Sequence, residues 1–156
     1  MVRVMATGVF DLLHPGHVHY LDEARRLGDE LLVVVARDST ARRLKHEPII
    51  REEDRLRMVS ALKPVDTAML GNEGNIYDIL TTVRPDVIAL GYDQAHDELR
   101  LLAECRARGL PGTRVVRCPK YEGDLDGTRR IIGRVGEYLA MADRLREIEG
   151  SRGTGK

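Results

Sequence analysis

A chain of 156 residues has the length of one domain with a real core, since domains commonly run ~100–200 residues. Its 25 basic and 25 acidic residues cancel, so bulk charge gives no reason for a nucleic-acid or membrane surface, and any anion site must be local. No apolar run approaches the ~20 residues of a membrane span and no signal-peptide pattern opens the sequence, so a cytoplasmic protein is expected.

Residues 2–6 read as a short buried strand, and the segment that follows turns it into a helix. Pro15 suits the first helical position because its fixed φ matches the helix and its missing N–H would have gone unpaired. Helix N-terminal amides then face the turn, where they and the positive end of the macrodipole attract anions. Gly16 lets a phosphate approach the backbone without a Cβ in the way, and His14 and His17 complete an anion cradle. The helix carries Val18, Leu21, Ala24 and Leu27 near one face and stops at Gly28, and residues 31–36 form a second buried strand, closing a βαβ unit.

Glu52, Glu53 and Asp54 place negative charge at the next helix start, with Leu56, Val59 and Leu62 as its stripe and Pro64 as its stop. A strand over 67–70 follows. Asn75 caps a helix carrying Ile76, Ile79, Leu80 and Val83, ended by Pro85 and followed by a continuous apolar strand over 86–90. A helix over 97–108 ends at Gly109, and residues 114–118 form the last strand. A long closing helix starts at Thr128 and runs to about residue 148, with Ile131, Ile132, Val135, Leu139, Ala142 and Leu145 expected to face inward. The tail 150–156 reads as disordered. Strands alternating with helices define the α/β class: a single Rossmann-like domain whose open parallel sheet of about five strands carries helices on both faces.

Open parallel sheets bind ligands at the carboxyl ends of their strands, near the point where strand order reverses. His14 and His17 follow the first strand, Lys45 lies after the second, Gly91 to Gln94 follow the strand over 86–90, and residues 118–128 follow the last. Residues far apart in sequence are thus expected to meet in one cleft.

The ungapped pattern Gly8-x-Phe10-Asp11-x-x-His14-x-Gly16-His17 resembles the signature of the cytidylyltransferase-like nucleotidyltransferases. That resemblance implies nucleotide binding by Thr7, Gly8, Val9, Phe10 and Gly16, with His14 and His17 catalytic. Gly91-Tyr92-Asp93-Gln94 resembles the family's nucleoside-holding segment, in which a glycine permits close approach and a carboxylate reaches ribose or base; the alternative is a tight turn between strand and helix. The stretch 121–132 takes the place of the family's second signature. Thr128 keeps a hydroxyl at a helix start, Gly127 stands for a serine, and Arg129 and Arg130 add guanidinium groups suited to the β- and γ-phosphates, or to solvent on a plain capped helix.

Lys45 resembles the loop lysine that the family uses on phosphate, and completes the implied catalytic set. Arg55 is a second family-like basic position, but between Glu52, Glu53 and their helix it is expected as a solvated salt-bridge partner. Asp11, the only carboxylate inside the first motif, either orders the turn or touches the ligand, so metal ligands stay unassigned. Cys105 and Cys118 are too few for a disulfide framework or a zinc site and read as reduced thiols.

Over nearly its whole length the chain resembles the archaeal-type FAD synthases, most closely at 8–38, 61–66, 85–94 and 123–132. The resemblance implies one nucleotidyltransferase domain over 1–149 and transfer of AMP from ATP to the phosphate of FMN, with a divalent metal such as Mg²⁺ and a homodimeric assembly. Glycerol-phosphate cytidylyltransferases carry a tryptophan after two aspartates where this chain has Tyr92-Asp93-Gln94 and no Trp at all. A CTP-dependent transferase acting on glycerol 3-phosphate or a similar phosphorylated alcohol is the alternative enzyme, and a non-catalytic nucleotide or flavin sensor is the alternative outside enzymology.

Overall fold

Five strands, β1 (Arg3–Gly8), β2 (Glu30–Val35), β3 (Thr67–Leu70), β4 (Val87–Leu90) and β5 (Arg114–Arg117), form one parallel sheet in the order β3-β2-β1-β4-β5. The computed structural model describes residues 1–152. Strand order reverses beside β1, so the crevice between β1 and β4 is the topological switch point. The β1–β2 ladder runs to Gly8 opposite Val35, whereas the β1–β4 ladder ends at Ala6 opposite Ala89. The strands therefore part at their carboxyl ends. Tyr20 Oη donates to Ala89 O at 2.7 Å and Gln94 Nε2 donates to Thr7 O at 2.7 Å across the parted edges.

Strand periodicity divides the core in two. Val4, Ala6, Val33, Val35, Val87 and Ala89 point to one face, where Leu21 and Ala24 of α1 (Pro15–Arg25) and Val59 meet them. Met5, Leu32, Val34, Ile88 and Leu90 point to the other, covered by α4 (Ile79–Val83) and α5 (Glu98–Ala107). Each fully buried Leu, Ile or Val contributes roughly 1.5–3 kcal/mol by leaving water. Both faces of the central strands are buried, which is why these strands read as continuous apolar runs.

Two short elements depart from the sequence pattern. A helix not expected from the sequence, α2 (Asp38–Leu44), follows β2 and carries Lys45 at its carboxyl end; α3 (Glu52–Ser60) comes next. The segment after Asn75 is a single 3-10 turn (Ile76–Asp78) leading into the five residues of α4, because Asn75 Oδ1 accepts the Tyr77 amide and tightens the first turn. On α1, Val18 is exposed while Leu21 and Ala24 are buried.

The largest departure is α6 (Thr128–Arg152), none of whose residues is buried. Ile132, Val135, Leu139 and Leu145, expected inside, are 44%, 51%, 57% and 55% exposed, and Ile131 and Ala142 are only half-buried. No residue of this helix belongs to either core cluster, so it leaves the domain after its anchored first turn. It also continues over 150–152, into the segment read as a disordered tail; residues 153–156 of that reading lie outside the described residues. Among the described residues no helix is long and apolar enough to cross a membrane.

Candidate active site

Beyond β1 the chain makes a turn that only a specific set of supports can hold. Phe10 sits in the left-handed region at φ 54°, a conformation that costs an ordinary side chain energy and persists where the surroundings fix it. Its ring, 2% exposed, folds back toward the strand end, and a Cβ at Gly8 would lie 2.8 Å from it. That ring then packs against His17 with centroids 5.2 Å apart and against Tyr20 at 6.5 Å. Phe10, predicted to bind nucleotide, is thus also the wall that sets His17.

Arg55 corrects its expectation outright. It is fully buried, and its guanidinium donates to Val9 O at 2.6 Å, Ala36 O at 2.8 Å, Ile50 O at 2.9 Å and the Asp38 carboxylate at 2.7 Å. Planar, forked geometry is what lets one side chain tie three segments through four partners. The Asp11 carboxylate accepts from the amides of Ile49 and Ile50, so it orders the turn and fastens the loop after Lys45. The sequence shows basic and acidic letters here; which of them dives inward is a matter of the tertiary path.

His14 is the N-cap of α1: its Nδ1 accepts the His17 amide at 3.3 Å. An acceptor at Nδ1 leaves the proton of the neutral ring on Nε2. The two imidazoles stack with centroids 3.7 Å apart and 24° between planes. Burial lowers the pKa of His14, outweighing Asp126, which raises it. Burial, then the neighbouring His14 and Lys45, push His17 down to about 3. Both rings are therefore neutral near pH 7, hydrogen-bond donors rather than cations. His17 Nδ1 is buried without a hydrogen-bond partner among the described residues, a condition that native structures leave to a ligand, a water or a function.

Gly16 has a further use besides the one expected. Its amide donates to Leu125 O at 3.3 Å, and a Cβ there would lie 2.9 Å from His14 Nδ1 and 3.0 Å from the Asp126 Cα. The glycine admits the 121–127 loop and the His14 ring, and one of the helix's leading amides is already satisfied.

A cavity of about 490 Å³ opens over this loop. It is lined by Thr7, Gly8, Val9, Phe10, His14, Gly16, His17, Lys45, Gly91, Tyr92, Asp93, Gly127, Thr128 and Arg129, so the fold brings every expected site residue together except Arg130. Arg130 turns away to Asp126, Nε to Oδ1 at 2.9 Å, and to Asp124 O. Thr128 Oγ1 donates to Leu12 O, which fixes the start of α6 against the first motif. Gln94 pins the nucleoside-like segment, accepting the Gly91 amide at Oε1 while Nε2 holds Thr7 O.

Asp126 was not singled out from the sequence. It lines the cavity, accepts from Tyr92 Oη at 3.5 Å and pairs with Lys120 at 3.9 Å besides Arg130. Its spacing of four residues from Arg130 was the only local signal. Tyr121 also lines the cavity, packed on His19. Cys118 lies at its edge as a buried thiol pushed up to about 11, chiefly by burial, so it holds no thiolate at neutral pH. Cys105 is buried in the second core. Among the described residues no group of three or more His, Cys, Asp or Glu is placed to hold a metal ion.

A parallel sheet with stacked imidazoles at the first strand-to-helix turn defines a nucleotide-binding α/β protein, and the comparisons agree. The family model described as cytidylyltransferase-like matches residues 5–109. An FAD synthase of Aciduliprofundum boonei is 60% identical over 136 residues, 86% of this chain and 91% of the relative. One of Archaeoglobus profundus is 52% identical over 150 residues, covering 96% and 94%. A solved structure described as a lipopolysaccharide core biosynthesis protein from Thermoplasma volcanium superposes with a TM-score of 0.75 at 53% identity, covering 78% of this chain and 99% of that one. The chain belongs to the archaeal FAD synthase family of cytidylyltransferase-like nucleotidyltransferases.

Proposed function

We propose that this protein transfers AMP from ATP to the 5′-phosphate of FMN, forming FAD and releasing pyrophosphate in one in-line displacement without a covalent intermediate. What carries the reading is the neutral, stacked pair His14 and His17 at the mouth of α1, inside a chain of this family. The attacking FMN phosphate is ionised at neutral pH and needs no strong base. Charge grows instead on the α-phosphoryl oxygens and on the departing pyrophosphate, so catalysis rests on donors fixed in advance. His14 and His17 supply N–H donors, Lys45 and Arg129 supply countercharge, and Arg130 acts through Asp126 and so positions the loop. Thr7 to Phe10, Gly16, Gly91 to Asp93, Gly127 and Thr128 form the walls that hold the nucleotide.

A divalent ion such as Mg²⁺ enters this reading only with the nucleotide. Asp11 is spent on two backbone amides and Asp126 on three side chains, so among the described residues none forms a cage for the ion, and phosphate oxygens and water are its natural ligands. A homodimer is the assembly we propose, with the second copy on α6. Ile131, Val135, Tyr138, Ala142 and Leu145 recur there at heptad spacing, and Val135, Tyr138 and Leu145 are more than half exposed.

Purified protein is to be incubated with ATP and FMN, and in parallel with CTP and glycerol 3-phosphate, with products separated by chromatography and pyrophosphate assayed. FAD and pyrophosphate in equal amounts from the first mixture are expected. A cytidylylated product from the second alone would replace this reading with the CTP-dependent alternative, and binding without pyrophosphate would make the protein a sensor.

A further inference from the structure

Both strands that flank the switch point outlast their mutual ladder. β1 stays paired with β2 to Gly8 and β4 with β5 to Leu90, but β1 and β4 stop pairing at Ala6 and Ala89. The neighbouring ladders each add a bond past their last pairs: Ala36 N to Gly8 O at 2.9 Å, Gly71 N to Val35 O at 2.9 Å and Cys118 N to Leu90 O at 2.7 Å. The lengths of the strands therefore do not account for the crevice between β1 and β4.

What lies between them does. Continued by one step, with Thr7 opposite Leu90, the regular spacing of a parallel ladder calls for two direct bonds, Thr7 N–H to Ala89 O and Gly91 N–H to Thr7 O. Each is interrupted by one side chain. The Tyr20 hydroxyl accepts the Thr7 amide at 3.2 Å and donates to Ala89 O at 2.7 Å. The Gln94 carboxamide accepts the Gly91 amide at Oε1, 2.9 Å away, and donates from Nε2 to Thr7 O at 2.7 Å. All four backbone groups keep a partner, so the gap holds no unpaired polar group that would draw it shut. The first spacer is a single oxygen and the second a whole amide, so the strands diverge toward the site.

Both spacers are braced. Tyr20 lies about one turn beyond His17 on α1, and its ring runs nearly parallel to Phe10, 12° between planes and 6.5 Å between centroids. Phe10 is also the wall of His17, so one aromatic contact ties the spacer to the imidazoles. Arg117 reaches from β5 to hold the turn that carries Gln94, donating to Gly91 O and Gln94 O at 2.9 Å each. Burial raises the pKa of Tyr20 above that of a free phenol, so its hydroxyl remains a donor across the neutral range. Parting the strands leaves room on both faces of the sheet. Thr7, Gly8, Val9, Lys45, Asp93 and Gln94 form a rim shared by the cavity over the imidazoles and a second one, also of about 490 Å³, on the opposite face. The second cavity is floored by Met5, Val34, Ile88 and Leu90, which the 3-10 turn and the five residues of α4 are too short to roof.

We propose that Tyr20 and Gln94 are positioning residues, a two-rung spacer that sets the width of the crevice and so fixes residues 7–10 and 91–93 relative to the imidazole pair. Its kinetic consequence rests on the reaction proposed above, and its structural consequence rests on the ladder geometry alone. A shift of about 1 Å in a wall of an active site can cost 10²-fold in rate, and closing one rung moves a strand end on that scale.

The test compares full-length wild type with Tyr20→Phe, which keeps the ring and removes the spacer oxygen, and with Gln94→Ala, at a half-buried position. Crystal structures are expected to show Thr7 N within direct hydrogen-bond distance of Ala89 O in the first variant, and Gly91 N within that distance of Thr7 O in the second. In steady-state assays with ATP and FMN, kcat is expected to fall roughly 10–10²-fold in each variant while melting curves show both folded. A pair that serves the fold alone would lower the melting temperature and leave kcat of the folded protein within about twofold; that result overturns the proposal. So does a crevice of unchanged width in both variants. If wild type makes no FAD yet the rungs close in the variants, the reaction is wrong and the spacer stands.

Discussion

The two cavities have the same volume and a common rim, yet their walls were built by opposite means. On the imidazole side the rings and the turn that carries them are held by buried groups: Phe10 against His17, the His17 amide on His14, Arg55 on three carbonyls, Asp11 on two amides. On the apolar side the wall consists of core residues that a short crossover failed to cover. The difference teaches that chemistry requires polar groups fixed at some energetic cost, whereas an apolar cavity requires only an interruption in the packing.

The sharpest way to break that comparison is to remove the strut. Arg55→Met leaves Asp38 and three carbonyls without their donor, and the expected loss is about 3–5 kcal/mol of folding stability, read by denaturant titration. A loss under about 1 kcal/mol would mean that the loop holds itself. Next, His17→Ala is expected to lower kcat roughly 10²–10³-fold with the fold intact, as removal of one fixed donor does elsewhere. Near-normal turnover with unchanged melting would take the imidazoles out of the mechanism.

The paired arginines offer a smaller contrast. Arg129→Ala should lower kcat/KM for ATP about tenfold, the scale of one charge-assisted hydrogen bond, while Arg130→Ala, whose partner is Asp126, should act several-fold less. Equal effects would return Arg130 to the phosphates.

Acid should also probe the imidazole side. His17 is held neutral in the fold, down at about 3, and binds a proton more readily when unfolded. Between its ordinary value near 6.5 and about 3 the unfolded chain carries more protons, so this contribution to stability is complete above about pH 6.5 and is lost as pH falls through that window. The drop in Tm between about pH 7 and pH 4 should therefore be smaller in His17→Gln than in wild type; an identical drop would place the acid sensitivity elsewhere. The mildest change lies farthest from both cavities. Val135→Glu, on the exposed heptad stripe of α6, should shift the protein from dimer to monomer by light scattering and change turnover less than about twofold. A persistent dimer would move the interface off this helix.

Much of the molecule is written locally. Strand and helix alternation, the parallel sheet and the cap at Asn75 follow from spacing and side-chain type, and most of the named residues that line the first cavity were implied by the family resemblance. Periodicity and turn chemistry act over a few residues, so a linear reading reaches them. The tertiary structure alone decided that Arg55 is a buried strut, that Gly16 admits a loop and the His14 ring, that Arg130 faces Asp126, and that α6 keeps its apolar stripe in the open. It alone set a second cavity against the first. These depend on what each side chain meets from segments tens of residues away, and burial, with the desolvation it imposes, is a property of that meeting and not of the letter.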